Sequence, residues 1–537
     1  MSEGYRFAQP AREAYAYPLL VRHLLQSALD TRSRNEIVGS DGGRRSYDEL
    51  ARRVGRLGSV LTRLGIGPGD TVAVMDWDSH RYLEAYFAVP MLGAVLQTVN
   101  VRLSPAQIAY TLQDSGARLL LFHTDFAKLV ASLRQDIPGI ERFISMDDGG
   151  ASESVVRDGE YEALLAAGDD LHAFGDFDEN ALATTFHTTG TTGLPKPVAF
   201  SHRQLVLHTL AVMAAFARRP EHQKLTHRDV YMPLTPMFHV HAWGLPYVAT
   251  LMGVKQVYPG RYVPDRLIAL QRQEGVSFSH GVPTLLQMLL AGLEGRVLSN
   301  PWKMIVGGSA LAGTLREAAF AQGIHAFAGY GMSETAPVIS IARLDAEEAT
   351  DAADRARLAG HPIPLVQVRV VDSELRDAQE GELVARAPWL TMSYGSDCEA
   401  SDQLWRGGWL HTQDIARIDD RGDIEIRDRL KDVIKTGGEW VSSVQIEELA
   451  MQHPQVDSAA VVGVPDPHWG ERPVLFVTAN KEQPTVDTMR AHLSIFVSRG
   501  VISRYGIPDR MIVLAELPRT SVGKIDKKAL RVVAGAA

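Results

Sequence analysis

The stretch Thr184-Thr-Phe-His-Thr-Thr-Gly-Thr-Thr-Gly-Leu-Pro-Lys196 begins as a strand and ends as a loop. Residues Ala181–Phe186 are apolar and β-branched, which predicts a strand feeding the segment. Thr188–Lys196 then packs four threonines, two glycines and one lysine into nine residues. Glycine lets a backbone turn sharply and approach a phosphate closely. Threonine hydroxyls donate to phosphate oxygens or ligate magnesium, and the lysine adds a point charge for a polyphosphate. A Walker A loop is a different object, with four residues between its glycines and Gly-Lys-Ser/Thr at its end. Val198–Ser201 reads as a second strand, with a helix only from about Arg203. The loop therefore joins two strands instead of capping a helix. The plain alternative is a polar surface turn.

Outward from this loop, helix and strand alternate. Ser46 and Glu49 form the pattern of a capping box. Leu50, Val54, Leu57, Val60, Leu61 and Leu64 recur at helical spacing up to the stop at Gly65, Gly67, Pro68 and Gly69. Thr71–Met75 and Leu119–Phe122 read as buried strands, with a helix between them from Ser79 to about Pro90. Strands are expected at Val230–Met232, Val254–Tyr258, Met304–Val306 and His325–Ala328, and helices at Asp265–Glu274 and Thr284–Leu293. This rhythm predicts an α/β fold with much parallel sheet. From about residue 365 short strands and tight turns take over (Val366–Val371, Gly381–Ala385, Asp423–Ile426), a small β-rich subdomain. The charged run Arg427–Asp432 then precedes a last set: helices Ser443–Gln452 and Val486–Ser498, and strands Ala459–Val464, Val474–Thr478 and Arg510–Leu514. The expected division is a large N-terminal body, residues 1–430, and a small mobile α+β domain, residues 431–537.

Composition bounds the function. The chain has 537 residues, 45% hydrophobic and 22% charged, which fits globular protein and excludes a disordered or fibrous one. At roughly 100–200 residues per domain it holds two to four domains. A net charge of −9 gives no global pull toward nucleic acid. One cysteine, Cys398, excludes an intrachain disulfide and a cysteine-based zinc site. No apolar run approaches the roughly 20 residues of a membrane span, and the N-terminus lacks the layout of a signal peptide. A soluble cytoplasmic protein is expected, and a homodimer is compatible with it.

The Thr188–Lys196 loop resembles the phosphate-binding signature of the acyl-adenylate-forming enzymes, which include acyl-CoA synthetases, adenylation domains of peptide synthetases and beetle luciferases. Four further blocks continue the likeness in order: Tyr330-Gly-Met-Ser-Glu334, Trp409-Leu-His-Thr-Gln-Asp414, Arg429–Gly438 and Pro518–Lys524. The stretches Asp76–Arg81 and Phe238–Trp243 are most similar to the branch that activates medium- or long-chain and other small aliphatic acids. The resemblance implies two steps. A carboxylate attacks the α-phosphate of ATP, releasing pyrophosphate, and CoA then displaces AMP.

The same resemblance implies roles for individual residues. Thr188, Thr189, Gly190, Thr191, Thr192 and Lys196 hold phosphate. Gly308, Ser309, Tyr330, Gly331, Met332 and Ser333 bind the nucleotide, with Tyr330 stacked on the adenine. Asp414 accepts the ribose hydroxyls, and Arg429 lies nearby. Glu334 ligates Mg2+ with help from Thr188. Trp243, Gly307 and Gly329 border the acyl pocket, and the tryptophan position gates it. His239 lies beside the acyl-phosphate, Lys431 is the hinge, and Lys435 sits on the loop that swings in for the second step. Lys524 is the catalytic lysine of adenylation. Pocket residues are expected from His208–Ala215, Phe238–Pro246 and Gly307–Val338, and His241 has no role.

Read without the resemblance, several of these residues have blander meanings. Glu334 reads equally well as the cap of a helix through Thr335–Ile339, Trp243 as core, and Lys524 as a surface charge. Two departures from the family pattern stand out: Gln413 and Pro197 where glycine is usual. They keep open an amide ligase that passes the acyl group to an amine. A P-loop kinase is the reading from another class, and it requires a helix directly after Lys196. A non-catalytic nucleotide-binding protein is a third.

Overall fold

The computed structural model describes residues 6–147, 157–188, 194–344, 355, 358–437, 439–480, 482–519 and 525–536. They form four sheets. One is seven-stranded, in the order Gly159–Glu160, Arg142–Met146, Ala117–His123, Thr71–Met75, Val95–Thr98, Leu182–His187, Pro197–Ser201. It is parallel except for its last pair. The second, nine-stranded, has a parallel centre: Lys255–Val257, Val230–Pro233, Phe278–Gly281, Trp302–Val306 and Ile324–Gly331. Antiparallel strands Val338–Ile341 and His361–Pro362 extend it. The α/β reading with parallel sheet therefore holds. The buried strands of both sheets are near-continuous hydrophobic runs such as Thr71-Val-Ala-Val-Met75, as expected where helices cover both faces.

The small β-rich part is a four-stranded antiparallel sheet, Gln367–Val371, Glu380–Arg386, Leu410–Ile418 and Ile424–Arg429. After it comes the last sheet, built from Ile434–Thr436, Glu439–Val441, Val456–Asp466, Gly470–Ala479 and Arg510–Leu514. Helices Ser443–Ala450, Val486–Ser498 and Lys527–Ala536 accompany it. A core of its own, including Ile434, Ile446, Val461, Leu475 and Leu493, sits between sheet and helices. Among the described residues no helix is long and apolar enough to cross a membrane.

Several local expectations change. Ser46 Oγ accepts from the Glu49 amide, but the Glu49 carboxylate takes two bonds from Arg52 instead of closing a capping box. A long arginine at helical spacing reaches the exposed carboxylate more easily than the backbone does. The central strand Val95–Thr98, four residues long, is too short for periodicity to mark. The helix through Thr335–Ile339 does not exist. A short 3-10 turn, Ser333–Thr335, leads into the strand Val338–Ile341. The charged run Arg427–Asp432 is not simply solvated. Asp428 and Asp432 are buried. Asp428 accepts from the Ser443 amide at 2.5 Å, Ser442 Oγ donates to the Arg427 carbonyl, and Lys527 bonds Ser443 Oγ and pairs with Glu447 at 2.7 Å. The cluster joins the strand Ile424–Arg429 to the helices Ser443–Ala450 and Lys527–Ala536, and the pairing of its charges offsets the cost of burying them.

Candidate active site

The two strands that flank the Thr188–Lys196 segment pair as the sequence implies. Leu182–His187 and Pro197–Ser201 pair antiparallel, and the Thr188 amide donates to the Lys196 carbonyl at 2.8 Å. No helix follows Lys196 directly; the next one starts at His202. That geometry removes the P-loop kinase reading. Thr189, Gly190, Thr191 and Thr192 lie outside the described residues, as do Gly438 and Lys524.

Pro197 occupies the edge strand of its sheet. Hydrogen-bonded and non-bonded pairs alternate in an antiparallel ladder. Because Thr188 and Lys196 bond, the next pair, His187 and Pro197, is a non-bonded one. The N–H that proline lacks would therefore point away from the partner strand. The ring packs beside Gly395, whose Cβ, if it had one, would lie 2.9 Å from Pro197 Cγ. We predict that Pro197→Gly keeps the fold and the ATP requirement. Abolished activity in that variant would show that the proline is functional.

Tyr330 and Glu334 lie at the two ends of one short segment, and each meets a partner from a distant part of the chain. Tyr330 Oη donates to Asp414 Oδ2 at 2.6 Å, while Arg429 Nε stands 3.5 Å from Asp414 Oδ1. Burial, then the neighbouring Asp414 carboxylate, pushes the Tyr330 hydroxyl well above its ordinary pKa, so it stays a donor. At the other end, Tyr394 Oη donates to Glu334 Oε1 at 2.6 Å. Lys196 Nζ sits 4.8 Å above the Tyr394 ring and 3.6 Å from Asp397. The lysine of the phosphate loop and the carboxylate Glu334 thus flank a single tyrosine.

Between these ends the backbone is tightly confined. A Cβ on Gly331 would lie 1.6 Å from the Pro337 carbonyl oxygen. Thr335 Oγ1 accepts from the Met332 amide at 3.0 Å, which leaves Ser333 and Glu334 in the 3-10 turn. Glu334 is a hard-oxygen donor. Magnesium is bound through one or two carboxylates plus substrate phosphates, so a single carboxylate beside a phosphate loop fits it.

Trp243 is the centre of a second group of buried side chains. Its ring packs against the Gly307 backbone, where a Cβ would lie 3.0 Å from the indole and 2.6 Å from the Gly329 carbonyl. The His280 ring is 5.0 Å from Trp243. Burial lowers the pKa of His280, and that of His208, to about 3, so both are neutral. His208 packs on Trp389 and against Gly244. His239, partly exposed, lies four residues before Trp243. Gly308 and Ser309 follow the strand Trp302–Val306 at its C-terminal end, where open α/β sheets bind ligands.

The departure at Gln413 has a conformational cause. Its φ is +58°, a left-handed geometry that suits glycine. The side chain is exposed, and the backbone amide donates to Glu382 Oε1 at 2.9 Å, so Asp414 keeps its place. We predict that Gln413→Gly stabilises the protein by about 0.5–1 kcal/mol, the left-handed cost less the entropy cost of glycine. A lowered melting temperature would contradict this.

Two predicted site residues stand apart from this cluster. Lys435 is exposed on the strand Ile434–Thr436, its Nζ 5.7 Å over the Trp440 ring. Lys431 is exposed. Desolvation, then Arg429, lowers its pKa, and its carbonyl accepts from Arg531 at 3.1 Å. Tyr394 is the functional residue that sequence reasoning missed. It lies 60 residues from Glu334 and 198 from Lys196 in the chain, and no local pattern links them. Cys398 is exposed.

Comparison with known proteins agrees with this geometry. Residues 25–395 match the AMP-binding enzyme family, and residues 445–524 match the AMP-binding enzyme C-terminal domain. A long-chain-fatty-acid–CoA ligase of Thermus thermophilus is 41% identical over 504 residues, 91% of this chain and 90% of that one. A 3-methylmercaptopropionyl-CoA ligase of Ruegeria lacuscaerulensis is 36% identical over 546 residues, covering 96% and 97%. Among solved structures, an anthranilate CoA ligase in complex with anthranoyl-AMP superposes with a TM-score of 0.85 at 23% identity, over 97% of this chain and 99% of that one. With these matches over most of its length, and with Lys196, Tyr394 and Glu334 and the Tyr330–Asp414 pair brought together in space, the chain belongs to the AMP-binding enzyme family.

Proposed function

We propose that the protein is an ATP-dependent acid–thiol ligase that makes an acyl-adenylate, releases pyrophosphate, and passes the acyl group to CoA. The observation that carries this reading is the segment Tyr330–Glu334, which bonds the Asp414 carboxylate at one end and presents the Glu334 carboxylate beside Tyr394 and Lys196 at the other. On this reading Asp414 and Arg429 take the ribose, and Tyr330, Gly331, Met332, Ser333, Gly308 and Ser309 take the adenine. Thr188–Thr192 and Lys196 take the phosphates. Bringing a carboxylate onto a polyphosphate joins two anions, so cationic and hydrogen-bonding groups must be in place before reaction. Magnesium, when bound, neutralises phosphate charge, and Glu334 with Thr188 would hold it.

Trp243, Gly307 and Gly329 border the acid, and His239 lies beside its reacting end. The boundary falls at 430/431 with Lys431 as hinge. Lys524 serves adenylation, and the loop carrying Lys435 serves transfer. The similar enzymes from Thermus and Ruegeria are ligases of aliphatic acids, which points to an aliphatic acid here. A cytoplasmic site of action fits an enzyme fed by ATP and CoA.

The test is ATP–pyrophosphate exchange over a panel of acids, then product formation with CoA or with amines. Absence of acid-dependent exchange would overturn the reading. Amide formed from an amine without thiol would replace the thiol ligase by an amide ligase.

A further inference from the structure

Val240, His241, Ala242, Trp243 and Gly244 have successive φ values of 48°, 54°, 47°, 59° and 71°. His241 and Ala242 have ψ of 42° and 47°, so the segment is a turn of left-handed helix. L-residues enter this region singly, at roughly 1–2 kcal/mol each, and a β-branched residue such as Val240 is least suited to it. Four consecutive non-glycine residues are held there. Strain of this kind persists only where the surroundings over-determine it, and it clusters at functional sites.

The surroundings are visible. Asp78 Oδ1 accepts from the Met237 amide at 2.8 Å, and Tyr86 Oη donates to the Met237 carbonyl. Thr98 Oγ1 donates to the Phe238 carbonyl at 2.9 Å. These bonds fix the entry to the turn. Inside it, His241 Nε2 lies 2.6 Å from Thr184 Oγ1, which also bonds the Leu96 carbonyl at 2.9 Å. A threonine hydroxyl has one proton. That proton goes to Leu96, so the hydroxyl accepts from His241, and Nε2 carries the imidazole proton. Burial, then the neighbouring His208 and His239, lowers the pKa of His241 to about 3, so the ring is neutral. The rings of Tyr86, Phe186 and Tyr247 surround it.

Thr184 lies on the strand Leu182–His187, which runs directly into the phosphate loop. The turn carries Trp243 and follows His239. We propose that His241 is a positioning residue: its Nε2–H bond to Thr184 locks the left-handed turn that aims His239 and Trp243, and ties that turn to the strand feeding the phosphate loop. The catalytic part of this inference rests on the reading of the site as that of an acid-activating ligase. The lock itself does not.

Thr184→Val removes the acceptor at constant shape, and Thr184→Ser restores it. Hydrogen exchange of peptides spanning residues 237–247 reads the lock in the full-length protein without any substrate. The expected result for Thr184→Val is exchange in this segment faster by about tenfold or more, because a buried donor loses its partner. Thr184→Ser returns it to the parent value. In pyrophosphate exchange, Thr184→Val raises KM for the acid about tenfold, leaves KM for ATP nearly unchanged, and is again rescued by serine. Unchanged hydrogen exchange in the segment overturns the lock. Faster exchange with unaltered acid KM overturns the positioning role. If the parent protein shows no acid-dependent activity at all, the ligase reading fails, and hydrogen exchange alone decides the lock.

Discussion

Lys524→Ala suppresses acid-dependent ATP–pyrophosphate exchange by about 10²–10³-fold while the protein stays folded. The expectation follows from charge. The attacking carboxylate and the α-phosphate repel each other, and a lysine delivered by a closing loop can bridge them while water is excluded. Gly523 before it and the polar turn Arg519-Thr-Ser-Val suit such a loop. Transfer from preformed acyl-adenylate to CoA should change far less, because on the proposed reading that step draws on Lys435 and its neighbours instead. Exchange kinetics, single-turnover transfer and circular dichroism on the same variant check all three statements. Near-normal exchange would sink the assignment of Lys524.

Gly331→Ala is expected to damage both stability and nucleotide binding. The new methyl would fall 1.6 Å from the Pro337 carbonyl oxygen, a backbone atom that no rotamer change can move. Tyr330 and Glu334 flank this residue, so a shift of the segment pulls one from Asp414 and the other from Tyr394. We expect a loss of about 3 kcal/mol or more in stability, the overpacking cost at a site that cannot relax. KM for ATP rises in parallel. Thermal unfolding and ATP titration of the kinetics measure the two effects. Parent-like values in both would show that the segment is softer than its contacts imply.

The two variants differ in where their warrant comes from. Lys524 is a residue that only an ordered set of motifs distinguishes from Lys527 and Lys528. In the structure Lys527 is a different kind of lysine altogether, partly buried, paired with Glu447 and bonded to Ser443. Gly331 is the reverse case. The sequence marks it as one glycine in a motif, and only the fold shows the carbonyl that forbids any other residue.

Elements with a strong local signal were legible. Thr71–Met75, Val486–Ser498 and Arg510–Leu514 were readable to the residue, because hydrophobic period and flanking turn chemistry agree there. The strand Val95–Thr98 was not, since a short apolar run has the same appearance in a buried strand and in a buried helix. The departures Pro197 and Gln413 were visible as departures. How the backbone accommodates them was not, because it depends on ladder phase in one case and on backbone dihedral in the other.

By itself the sequence determined the architecture, the phosphate loop, the order of the site blocks and the absence of an internal thiol pair. All of these reside in residue type and short-range spacing. Only the tertiary structure decided which groups meet: Tyr394 between Lys196 and Glu334, Tyr330 on Asp414, and Thr184 beneath the left-handed turn at His241. These contacts join residues 57 to 198 positions apart. A bond at that separation leaves no periodicity in the chain and exists only once the sheets have packed.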